Sequence, residues 1–64
     1  MIINGEAINF KGGITITEML EELKLDSNKV VVEVDLEIIN KDEFSVKILS
    51  TDSKVEIIRF VGGG

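Results

Sequence analysis

The 64-residue chain carries 12 acidic and 7 basic residues, a formal net charge of −5 at pH 7, and a 44% hydrophobic content rich in Ile, Leu and Val. That balance excludes a nucleic-acid footprint and an anionic membrane surface, both of which need a basic face. The absence of His and Cys removes a thiol nucleophile, an imidazole base and a His/Cys metal site. The length allows one small domain with a modest core that no disulfide can brace. No signal-peptide pattern opens the sequence and no apolar run approaches bilayer length, so the expectation is a soluble, cytoplasmic protein. Plain solubility accounts for the acidic surface, which also suits docking onto a basic partner.

Met1-Ile2-Ile3 and Glu6-Ala7-Ile8-Asn9-Phe10 flank Asn4-Gly5. Asn-Gly tolerates the positive φ angles of a type I′ turn, which predicts a tight hairpin. Alternation in the second arm puts Ile8 and Phe10 on one face and Ala7 and Asn9 on the other. Lys11-Gly12-Gly13 ends the strand. Thr15-Ile16-Thr17-Glu18 then matches a capping box, which starts a helix over roughly Ile16 to Leu23. Ile16, Met19, Leu20 and Leu23 form one apolar stripe, Glu18, Glu21 and Glu22 lie opposite, and Lys24 suits the negative C-terminal end.

Asp26-Ser27-Asn28 reads as a loop and Val30 to Val34 as a β-branched strand. Asp35-Leu36-Glu37 predicts a turn into a short strand at Ile38-Ile39. Asn40 to Ser45 is polar except for Phe44, as in an irregular stretch or one helical turn anchored by that ring. Ser50 to Ser53 is a second turn cluster, and Lys54 to Val61 is the last strand. The first and last strands are the most continuously apolar, which places them centrally. This order, with one helix burying a single stripe, predicts an α+β fold of the β-grasp (ubiquitin-like) kind. A mixed sheet of four to five strands would pack on one main helix, with the domain over residues 1–61 and a flexible glycine tail over 62–64.

The acidic helix face is accounted for by solvation, although a docking role is also open. Glu33, Asp35 and Glu37 would share a face only on a continuous strand, and the predicted turn breaks it, so no metal site is assigned. Gly12-Gly13 lacks the surrounding pattern of a phosphate loop. Alternation in the last strand sends Val55 and Ile57 inward and Glu56, Ile58 and Phe60 outward. Exposed Ile58 and Phe60 would make an apolar docking patch beside the tail, unless Phe60 folds back over the sheet edge. Arg59 would mark the tail's exit and could pair with a partner carboxylate. Gly62-Gly63-Gly64 admits two readings: an inert frayed end, or a side-chain-free tail able to thread a narrow channel.

Asn4-Gly5-Glu6, Thr15-Ile16-Thr17-Glu18-Met19-Leu20, Val30 to Val34, Lys41-Asp42-Glu43-Phe44 and Val55 to Gly64 together resemble the ThiS family, sulfur carriers of thiamine biosynthesis within the ThiS/MoaD-like β-grasp group. Arg59-Phe60-Val61-Gly62-Gly63-Gly64 is the most diagnostic piece. The sequence departs from the family pattern at Asp35-Leu36-Glu37, Ile39-Asn40-Lys41 and Thr51-Asp52-Ser53, all within turns. The resemblance implies a carrier rather than an enzyme, with no cofactor bound by this chain. A ThiF-like adenylating enzyme using ATP and Mg²⁺ would activate the Gly64 carboxylate. A sulfur donor protein would supply the sulfur of a Gly64 thiocarboxylate, and a ThiG-like thiazole synthase would consume it. Gly62 and Gly63 would give the tail access, and Ile58, Arg59, Phe60 and Val61 would bind partners. Alternatives are another carrier of this fold, like the molybdopterin-synthase small subunit, and a ubiquitin-like modifier or binding module without sulfur chemistry.

Overall fold

The computed structural model describes residues 1–60; Val61 and the glycines at 62–64 lie outside the described residues. Five strands and one α-helix follow one another as β1 (Ile2–Ile3), β2 (Glu6–Ala7), α1 (Ile16–Glu22), β3 (Val30–Val34), β4 (Glu37–Ile39) and β5 (Lys54–Arg59). Single 3₁₀ turns occupy Ser27–Lys29 and Lys41–Glu43. The strands form one sheet in the order β2-β1-β5-β3-β4. β1 runs parallel to β5 and the other pairings are antiparallel. This is the mixed sheet with a single helix that the element order predicts, with β5 at its centre and β1 beside it.

The first hairpin closes through Asn4 at φ 52° and Gly5 at φ 82°, with Ile2 opposite Ala7 and Ile3 opposite Glu6. The second arm is shorter than the pattern suggests, since β2 ends at Ala7. Ile8 N–H still donates to Met1 O at 2.9 Å, but Phe10 N–H turns back to Ile8 O. The facing survives the loss of the strand: Ile8 and Phe10 are half-buried against the core, while Ala7 and Asn9 are exposed.

The capping box forms as predicted. Glu18 N–H donates to Thr15 Oγ1 at 3.1 Å and Thr15 N–H donates to Glu18 Oε1 at 2.8 Å, so two donors that the helix leaves unpaired are satisfied reciprocally. At the other end Lys24 adopts φ 59°. Its N–H donates to Glu21 O, and Leu25 N–H donates to Leu20 O at 2.9 Å, a Schellman closure with lysine where glycine is usual. Lys24 therefore ends the helix through its backbone. Between β3 and β4 the reversal takes only Asp35 (φ 49°) and Leu36 (φ 72°), and Glu37 already pairs with Val34.

The stripe of Ile16, Met19 and Leu20 packs with Ile3, Val30, Val32, Val34, Val55 and Ile57. Phe44 and Leu49 close this core from the long connection before β5. That connection is fastened to the start of the helix by bonds from Thr17 N–H to Phe44 O (3.0 Å), Leu49 N–H to Ile14 O (2.8 Å) and Gly13 N–H to Leu49 O (2.8 Å). With the helix covering one face, the opposite face of the sheet is left open beside the end of β5.

Candidate functional site: the open sheet face and the exit of β5

In β5 the two-residue period is kept through its core-facing positions. Val55 and Ile57 are buried, the latter to 7% exposure, while Ile58 is 59% and Phe60 47% exposed. Phe60 thus presents about half of its surface to solvent. Arg59, in register with Val30 at the end of the ladder, is exposed as well. Phe60 N–H donates to Lys29 O at 3.1 Å, which holds the last described residue against the chain entering β3.

The register shows which neighbours share the outer face. Ile58 lies opposite Val31, and Glu33 lies between Glu56 on one side and Ile38 on the other. Ile38 is 69% exposed and Val31 half-buried. Val31, Ile38 and Ile58 thus extend an apolar surface toward Phe60, bordered by two like-charged carboxylates directly opposite each other. Sequence reasoning found Ile58 and Phe60 but not Val31 or Ile38. Glu33 carried the missing signal, because a polar residue inside a valine run marks the solvent face and Val31 shares its parity. Val61, Gly62, Gly63 and Gly64, expected to continue this site, lie outside the described residues.

Asn4 is a second residue that sequence reasoning placed only in a turn. Its side chain crosses to β5, where Oδ1 accepts from Ile57 N–H at 2.7 Å and Nδ2 donates to Ile57 O at 3.3 Å. Nothing local signals a contact between residues 53 positions apart.

The remaining candidates resolve into local structure. Glu18 caps the helix, while Glu21 and Glu22 are exposed. Asp35 sits in the turn, where its Oδ1 accepts from Lys54 N–H at 3.0 Å, out of line with Glu33 and Glu37. Among the described residues no group of three or more His, Cys, Asp or Glu residues is placed to hold a metal ion. Gly13 adopts φ 92° and belongs to the turn into the helix. Among the described residues no helix is long and apolar enough to cross a membrane.

The ThiS family model matches residues 1–64. The thiazole synthase of Paramagnetospirillum magneticum is 42% identical over 64 residues, which are 100% of this chain and 20% of that protein. The sulfur carrier protein ThiS of Bacillus subtilis is 35% identical over 63 residues, 97% of this chain and 96% of that one. The crystal structure of the thiamine biosynthesis protein ThiS from Geobacter metallireducens superposes with a TM-score of 0.80 at 27% identity, covering 98% of this chain and 96% of that chain. The chain therefore spans about a fifth of the thiazole synthases it matches, 20% and 19% of their lengths, and nearly the whole of the carrier protein. With the family pattern matched from the first residue to the last and the same fold recovered, the chain belongs to the ThiS family.

Proposed function

We propose that this chain is a cytoplasmic sulfur carrier of thiamine biosynthesis, a co-substrate rather than an enzyme, loaded at Gly64. The observation that carries this reading is the family match over residues 1–64, which takes in the glycine run as well as the fold. The carboxylate is a poor acyl donor because oxide leaves badly, so it must first be activated. A ThiF-like enzyme joins it to the α-phosphate of ATP, with Mg²⁺ bound by that enzyme, and releases pyrophosphate. Sulfide delivered through a sulfur donor protein then attacks the carbonyl, and the C–S bond forms as the bond to AMP breaks. If the donor is a persulfide, an acyl disulfide forms first and a thiol reduces it. The resulting thiocarboxylate donates its sulfur to a ThiG-like thiazole synthase, a partnership supported by the likeness to thiazole synthases.

In this proposal the open sheet face docks the partners. Ile58 and Phe60, joined by Val31 and Ile38, supply apolar area, and Arg59 pairs with a partner carboxylate. Val61 leads into Gly62 and Gly63, whose missing side chains let residues 61–64 enter a narrow channel; at about 3.3 Å each they reach roughly 13 Å when extended. This chain needs no cofactor of its own. The test is intact mass after incubation with ATP, Mg²⁺, a sulfur donor and a ThiF-type enzyme proven on another carrier. An oxygen-to-sulfur increment localised to Gly64 is expected; an unchanged mass rejects the reading.

A further inference from the structure

β1 is too short to accompany β5. It pairs Ile2 with Lys54 and Ile3 with Val55 in parallel, and the chain then reverses at Asn4-Gly5. β5 continues to Arg59. On the β1 side, Asn4 N–H donates to Val55 O at 2.9 Å, the final backbone rung from β1. The next rung is built from a side chain: Asn4 Oδ1 accepts from Ile57 N–H at 2.7 Å and Asn4 Nδ2 donates to Ile57 O at 3.3 Å. An amide side chain presents the same donor and acceptor as a peptide group, so Asn4 continues the ladder after its own strand has turned away.

We propose that Asn4 is a positioning residue for the docking face, acting through Ile57. This rests on the carrier reading above. Ile57 immediately precedes Ile58, Arg59 and Phe60, and on its other side β3 pairs with β5 as far as Val30 opposite Arg59. The Asn4 amide therefore clamps β5 from the side that β1 abandons. That clamp fixes the outward aim of Ile58 and Phe60. A docking surface held in one geometry loses less conformational freedom on binding than a fraying strand does.

The two demands on residue 4 select asparagine. The turn needs φ 52°, which Asn and Gly accept and most residues resist. The clamp needs a donor and an acceptor on a short side chain. Glycine satisfies the turn but not the clamp. Aspartate also tolerates the turn and can accept from Ile57 N–H, but it sets a second oxygen against Ile57 O where Nδ2 now donates.

Asn4→Gly and Asn4→Asp separate these roles, with two readouts on the full chain. Amide hydrogen exchange at Ile57 should accelerate on the order of tenfold in Asn4→Gly, the loss of about one hydrogen bond, and by less in Asn4→Asp, which keeps an acceptor for that N–H, while Val32 in β3 keeps its protection in both. Adenylation of the chain by a ThiF-type enzyme with ATP and Mg²⁺, measured well below the unfolding temperature, should show KM for the chain raised about fivefold and kcat within twofold. Unchanged Ile57 exchange in Asn4→Gly overturns the clamp without reference to any partner. Accelerated exchange with unchanged KM reduces Asn4 to a structural residue and overturns the positioning role. Failure of the wild-type chain to be adenylated counts against the carrier reading instead, and removes the positioning role that rests on it.

Discussion

Leu36 holds its backbone at φ 72° with its side chain 90% exposed, so it stores strain and buries nothing in return. A left-handed conformation costs a non-glycine L-residue about 1–2 kcal/mol, and type I′ turns favour Asn-Gly or Asp-Gly for that reason. Leu36→Gly completes an Asp35-Gly turn and should stabilise the fold by about 1 kcal/mol after the added chain entropy is subtracted. Urea unfolding would show a higher midpoint at unchanged slope; a lower midpoint would mean the exposed leucine makes stabilising contacts. The sequence marked this turn as a departure from the family pattern but left its length open, because nothing in Asp35-Leu36-Glu37 favours a two-residue reversal. Lys24 poses the same difficulty: no glycine announces the helix end, and only apolar Leu25, set to fold back toward Leu20, hints at it.

At the scale of the element, β5 puts two neighbouring isoleucines to opposite uses. Ile57 lies against the helix at 7% exposure and Ile58 faces solvent at 59%. Ile57→Ala should cost about 3 kcal/mol, the lost transfer energy plus the cavity. Ile58→Ala should change stability by less than about 0.5 kcal/mol, while raising the KM of the chain in adenylation about tenfold if Ile58 anchors docking. A denaturant series and steady-state kinetics on the two variants would separate packing from recognition. Equal losses of stability would show that the outer face is packed rather than free. This division was legible beforehand because Val55, Glu56 and Ile57 set the parity of β5 and so turn Ile58 outward, as was α1 from its cap and stripe. β2 was not, since Glu6 to Phe10 alternates well but only Glu6 and Ala7 find partners on β1. The fastening of Leu49 to Ile14 and Gly13 escaped for the same reason: these are bonds between distant segments, and no local period encodes them.

At the scale of the whole molecule, the fold separates a sealed side from an open one. The helix, Phe44 and Leu49 close the core, which leaves the opposite sheet face and the exit of β5 exposed, where the proposal places the partners. If presentation and chemistry are divided in this way, they should come apart experimentally. One alanine added after Gly64 replaces the proposed reacting carboxylate by an amide carbonyl and moves the carboxylate one residue onward. Folding should not notice, because the change lies beyond the described core, which runs from Ile3 to Ile57, and the unfolding free energy from urea titration should stay within about 0.5 kcal/mol of the parent. Sulfur loading should disappear. The extended chain should nonetheless compete with the parent for the adenylating enzyme, with an inhibition constant within a few-fold of the parent's KM, since it keeps Ile58, Arg59 and Phe60. Loading of the extended chain would reject the requirement for a carboxylate on Gly64. Loss of competition would show that the tail, rather than the sheet face, supplies most of the docking energy.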